Sequence, residues 1–140
     1  MQSPLYEITE LSNTFKALSD ETRVRIVRLL LHAQSGLCVC ELVSALQLPQ
    51  YQVSRHLSVL KSSGIATVER RGTWSYYGLE PSLVDTPLGT SLYDILSNIT
   101  GEFADDTVRL DKRLSLRSGG LCVVGFSDTV VAHENAGENS

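Results

Sequence analysis

At 140 residues, the chain has the length of one domain able to build a real hydrophobic core. Its 42% hydrophobic and 20% charged residues suit a water-soluble globular protein rather than a disordered or fibrous one. No apolar run approaches the ~18 residues of a membrane span, no signal-peptide pattern opens the chain, and three cysteines are an odd count for a secreted disulfide framework. The expectation is a cytoplasmic protein without membrane contact, its thiols kept for metal or redox chemistry.

The net charge of −4 is unevenly divided. Residues 16–79 hold eight basic groups against four acids, whereas residues 80–140 hold four against ten. Phosphate contacts depend on local rather than total charge, so the middle of the chain can meet DNA while the acidic end stays clear.

In chain order, Leu5, Ile8, Leu11, Phe15 and Leu18 recur at three and four residues, predicting an amphipathic helix over 5–18. Asp20 is a good N-cap for a second helix that turns Val24, Val27, Leu30 and Leu31 inward, with Gly36 beyond its end. A short third helix is predicted over 40–46 and a turn at Leu48-Pro49. The fourth helix follows over 50–63, with Val53, Leu57 and Leu60 buried and Gly64 as its stop. Two helices joined so tightly make a helix-turn-helix. Residues 65–70 and 73–79 alternate as strands about a tight turn at Arg71-Gly72, forming a wing. Pro81 and Pro87 bracket a connector, and helical spacing returns from Leu88 through Phe103. A weaker helix spans 106–117, residues 121–126 are β-prone, and a polar tail over 127–140 leaves a single domain over 1–126. The predicted class is mainly α with a β-hairpin wing.

In a helix-turn-helix the second helix enters the major groove and reads bases from its N-terminal half. With the apolar stripe inward, Gln50, Tyr51, Ser54, Arg55 and Ser58 point outward, and Gln52 and His56 flank that face within reach of base or backbone. Gln suits adenine, Arg suits guanine, and Ser suits base or phosphate. In the wing, Arg70, Arg71 and Thr73 can grip phosphate or enter the minor groove. A solvated polar helix face beside a basic turn is the bland alternative. Helix order and wing together weigh against it.

Several segments combine into a specific pattern: Phe15 to Arg23 with Arg25-Ile26, Cys38-Val39-Cys40-Glu41-Leu42, Val53 to Leu57, Leu60 to Ile65, and Gly72 to Tyr77. Across residues 6–80 this pattern resembles the ArsR/SmtB transcriptional repressors. The resemblance implies a homodimeric winged helix-turn-helix joined through its first and last helices. It also implies repression of a resistance or efflux operon, with double-stranded operator DNA released when a metal or metalloid binds.

Cys38 and Cys40 open the third helix. Two residues apart inside an ideal helix they diverge by ~200°. In an extended lead-in they project to one side, so they share an ion only if the first turn stays open. Thiolates favour soft ions, and a helix N-terminus is expected to lower their pKa. The Cys-Val-Cys-Glu-Leu segment is similar to the arsenite- and antimonite-sensing branch, which implies As(III) or Sb(III) held by three thiolates as inducer, with no organic cofactor. That branch often has a further cysteine three residues on, where this chain has Val43. Cys122 is the remaining thiol. It either completes a Cys38/Cys40/Cys122 site, from its own chain or a partner's, or is a buried idle thiol beside a two-thiol site. Relatives that bind zinc through histidines on the last helix find no counterpart, because no histidine lies between His56 and His133. His32 ends an apolar helix as a surface or capping residue.

Other readings keep the fold: a thiol-redox or persulfide sensor, or a cadmium- or lead-sensing repressor. Catalysis is not expected, since the chain has no glycine-rich phosphate cradle, paired-carboxylate motif or nucleophile elbow. A protein-interaction module would show no retardation of promoter DNA.

Overall fold

The computed structural model describes residues 6–122 and residue 125. The first helix, α1 (Ile8–Ala17), buries only Ala17, and Ile8 and Phe15 stand 85% and 56% exposed, an apolar face without a cover among the described residues. In α2 (Glu21–Ala33) the Asp20 carboxylate accepts the Arg23 backbone N–H at 3.1 Å, the N-cap that the sequence predicts. This helix buries Ile26, Val27, Leu29, Leu30 and Leu31 and forms the centre of the core.

The chain then reverses at Gly36, whose φ of 79° is left-handed and whose absent Cβ would lie 3.4 Å from that of Tyr76. It enters a two-residue strand, β1 (Leu37–Cys38), that alternation over so short a run does not reveal. Helices α3 (Val39–Leu46) and α4 (Gln50–Ser62) follow, joined through Gln47, Leu48 and Pro49. Val53, Leu57 and Leu60 are fully buried, as the apolar stripe requires.

The wing consists of β2 (Ala66–Arg71) and β3 (Trp74–Leu79). Arg71 pairs with Trp74, so the loop is Gly72-Thr73, one residue later than the predicted Arg71-Gly72. Gly72, with φ 64°, takes the first central position, which a two-residue hairpin turn reserves for glycine. The sheet order is β1-β3-β2, both pairings antiparallel, with Cys38 opposite Tyr76.

Short α5 (Pro81–Val84) leads to α6 (Pro87–Leu96). The helical spacing predicted through Phe103 therefore ends at Leu96. Arg28 explains the break: its guanidinium donates to the carbonyls of Leu96 (3.2 Å), Phe103 (2.9 Å) and Ala104 (3.2 Å), satisfying a non-helical backbone. The last helix, α7 (Asp106–Leu114), packs along α3 of the same chain with Leu110 wholly buried. Exposed apolar side chains remain on α1 (Ile8, Phe15), on α6 (Tyr93, Ile95) and on the outer side of α7 (Val108). Ser118 and Leu121 form an isolated bridge. The strand predicted over 121–126 and the tail over 127–140 lie largely or wholly outside the described residues, as does Leu5.

Candidate metal centre and nucleic-acid interface

Cys38 is the N-cap of α3, in extended backbone (φ −83°, ψ 163°), and Cys40 lies in the first turn. The open lead-in thus exists, and it brings the two sulfurs to 2.9 Å. Cys122 Sγ lies 3.4 Å from Cys40 Sγ. All three are buried, unbridged, and within 4.8 Å of one another in a single chain. No histidine or carboxylate joins that group among the described residues.

The carboxylate nearest in sequence is already committed. Glu41, fully buried, accepts the Cys38 backbone N–H at 3.1 Å and takes two 2.7 Å bonds from Arg117. Arg117 also donates to Gly36 O at 2.8 Å, and Glu41 holds its pKa above the usual arginine value. A carboxylate so engaged is a fastener of the helix start rather than a ligand. Neither Glu41 nor Arg117 stands out in the sequence as a pair, since 76 residues separate them.

Cys122 reaches the site because its segment is tied at several points. Its N–H donates to Tyr76 Oη at 2.8 Å. Arg113 donates to Ser44 Oγ (2.7 Å) and Gly125 O (3.2 Å), with Cys122 Sγ 3.9 Å away. At Cys38 the acidification expected of a helix N-terminus is overturned. The hydrogen bond with Cys40, then burial, pushes the Cys38 thiol well above its ordinary range, and burial foremost raises Cys122. Sulfur–sulfur contact and low dielectric outweigh the helix end at Cys38, which stays protonated near neutral pH.

The far end of α3 is clamped too. Asp106, fully buried, receives Arg25 at 2.8 and 3.0 Å and Arg109 at 2.6 Å. The same two arginines donate to Leu46 O (2.9 Å) and Ala45 O (2.7 Å), carbonyls that the helix leaves without partners. This hub joins the end of α3, just before the turn into α4, to α2 and α7. Sequence reasoning did not find it: Asp106 and Arg109 are neighbours on α7, but Arg25 and the α3 carbonyls meet them only in space.

On α4, Gln50, Tyr51, Arg55 and Ser58 are exposed, with Gln52 and Ser54 partly so. They form one outward face. His56 does not belong to it: it is 8% exposed, its Nδ1 accepting from Arg23 at 3.1 Å with Asp20 at 3.9 Å. The helical turn that buries Leu57 also carries His56 inward, which corrects its assignment to DNA. In the wing, Arg70 and Thr73 are exposed, but Arg71 turns back to Glu69 (3.0 Å) and over the Tyr76 ring (4.7 Å). In that orientation Arg71 pairs with Glu69 and the Tyr76 ring rather than pointing into solvent as Arg70 does.

Residues 20–68 match the family described as bacterial regulatory protein, arsR family. The arsenical resistance operon repressor of Bacillus subtilis is 39% identical over 79 residues, covering 56% of this chain and 73% of that protein. The chain belongs to the arsR family. The matched residues take in both α3 and α4. The arsenic resistance transcriptional regulator ArsR2 of Pseudomonas putida is 49% identical over 71 residues, 51% of this chain and 61% of that one. The transcriptional regulator HlyU of Vibrio vulnificus shares the fold, with TM-score 0.54 and 28% identity over 66% of this chain and 90% of that structure. The chain spans 53–61% of the length of three curated relatives that match it at 46–49% identity. No helix among the described residues is long and apolar enough to cross a membrane.

Proposed function

We propose that this chain is a metalloid-responsive repressor that binds operator DNA as a dimer and lets go when As(III) or Sb(III) takes the thiols of Cys38, Cys40 and Cys122. The observation that carries the reading is three buried sulfurs within 4.8 Å, without a fourth ligand group among the described residues. Tetrahedral zinc asks for four ligands; a three-sulfur set suits a trivalent, three-coordinate ion. Charge balance favours the same choice. Arsenite at neutral pH is the uncharged trihydroxide, and its three hydroxides leave with the three thiol protons as water. The product is as neutral as the reactants, which suits a buried site. A divalent ion in the same place would leave a net anion and shed three protons into water.

The dimer is supported by the uncovered apolar face of α1 beside α6, whose Leu88 N–H donates to Tyr6 Oη at 3.2 Å. Two α4 helices then meet successive major grooves of an inverted repeat, with Gln50, Tyr51, Gln52, Ser54, Arg55 and Ser58 facing DNA. Seating an ion among thiols already in contact displaces the start of α3, which feeds α4. A coupling of about 1–3 kcal/mol weakens DNA binding roughly 5- to 150-fold, and DNA must oppose metalloid binding by the same factor.

The test is a titration of reduced protein on its upstream DNA with arsenite, antimonite, cadmium, lead and zinc in turn. Release by the first two, abolished in Cys122→Ser, is the expected result. Release that persists in a variant lacking all three cysteines ends the proposal. A redox reading draws on the 2.9 and 3.4 Å sulfur separations, which favour oxidation to a disulfide; it requires release by oxidant in the absence of any metal.

A further inference from the structure

We infer that the thiol site signals to DNA through the wing as well as through the reading helix, with Tyr76 as the positioning residue that joins them. This rests on the sensing role proposed above and adds its route. Tyr76 touches each part of the site. Its backbone lies opposite Cys38 in the β1–β3 ladder, and its hydroxyl accepts the Cys122 N–H at 2.8 Å. Its ring lies under the guanidiniums of Arg117 (5.5 Å) and Arg71 (4.7 Å), the first pinned to Glu41 and the second part of the wing. Tyr76 is 2% exposed, so these contacts are enclosed rather than incidental. Two residues earlier on the same strand, Trp74 packs against the cluster of Cys38, Cys40, Tyr76 and Cys122.

The competing route is stiffer. Helix α3 is fixed at its far end by Arg25 and Arg109 on Ala45 and Leu46, and at its middle by Arg113 on Ser44. Moving it as a body breaks buried charge-assisted bonds. The hairpin has a solvent-facing outer side, with Val68, Glu69, Arg70, Gly72 and Thr73 exposed. A small displacement of Cys122 or Cys38 therefore passes first into β3, and from there to Arg70 and Thr73 at the tip.

Trp74, the single tryptophan, gives a readout that needs no label. In the unaltered protein, saturation with arsenite is expected to change Trp74 emission. Amide exchange is expected to change over residues 66–79 at least as much as over residues 50–62. Tyr76→Phe keeps the ring and removes the hydroxyl. It should bind operator within about twofold of the parent, while arsenite-driven release weakens about five- to tenfold, the scale of one buried hydrogen bond. Its Trp74 response should shrink in parallel. Exchange confined to α3 and α4 with unchanged Trp74 emission overturns the wing route while leaving metalloid sensing intact. So does a Tyr76→Phe protein that releases DNA as the parent does. If the parent ignores arsenite and its three thiols stay free to a thiol reagent, both the route and the sensing reading fail.

Discussion

The two surfaces to which the proposal assigns DNA and metalloid are assembled in opposite ways. The reading face comes from one contiguous helix whose polar side chains stand in solvent. The thiol pocket collects residues from β1, α3, β3 and a segment beyond α7, with Cys38 and Cys122 84 positions apart, all buried. The first tolerates change residue by residue. The second depends on the chain's tertiary closure, so mutations remote in sequence ought to disturb sensing while sparing base contacts.

The sharpest way to break that contrast is Glu41→Ala. It strands Arg117, itself 10% exposed at the side chain, and removes the acceptor for Cys38 N–H. Loss of one partner of a buried pair costs about 3–5 kcal/mol. Urea unfolding should show a lower midpoint at an unchanged slope. A shift below 1 kcal/mol would mean that the pair does not hold the site together.

Proton bookkeeping gives the next largest effect. Cys38 and Cys122 carry pKa values raised in the folded chain, so near neutral pH they enter binding protonated. Arsenite exchanges hydroxide for thiol with no net proton, so its affinity should stay flat between pH 6 and 8. Cadmium must displace up to three protons, so its affinity should climb by as much as about a thousandfold per pH unit. The same shifts fix the sign for stability. The raised pKa values favour the folded state below the ordinary thiol range near ~8.5. That contribution fades as pH rises toward the folded values, so the metal-free protein should lose stability in alkali. Equal pH slopes for arsenite and cadmium, read by competition calorimetry, would refute the neutral-exchange argument.

The same contrast explains what could be read in advance. The helix-turn-helix was legible because its signals are local: Asp20 as a cap, Pro49 before α4, and Val53, Leu57 and Leu60 at helical spacing. The pairing of Cys38 with Cys40 was legible for that reason too. Strand β1 was not, since two residues show no alternation. His56 misled because position on a helical wheel is uncertain at the border of the buried stripe, and only packing against Arg23 and Asp20 decides it. The Asp106 hub and the Glu41–Arg117 pair join residues 76 to 81 positions apart, beyond any periodicity. Cys122 was reachable by elimination; the tie from Tyr76 that holds it was not.

His56 and Arg55 provide a direct check on that border. Arg55→Ala should weaken operator binding by about 1–3 kcal/mol, with the loss concentrated at one base pair. His56→Ala should instead lower the melting temperature and leave base preference unaltered, because its ring meets Arg23 rather than solvent. A change of sequence preference in the histidine variant would return that residue to the reading face.

The smallest effect separates two neighbouring arginines of the wing. Arg70 is exposed, donates to Gly72 O at 3.3 Å, and can meet phosphate. Arg71 is drawn onto Glu69 and the Tyr76 ring. Each phosphate contact contributes about 0.9 to the slope of log affinity against log salt. Arg70→Ala should reduce that slope by about one while weakening all DNA sequences alike. Arg71→Ala should leave the slope alone and act on metalloid response, because its guanidinium lies on the ring that supports Cys122. If the slopes are reversed, the wing turns over when it meets DNA, and Arg71 leaves Tyr76 to do so. Release of that ring on operator binding would then itself oppose occupation of the thiol site, which is the reciprocity the coupling demands.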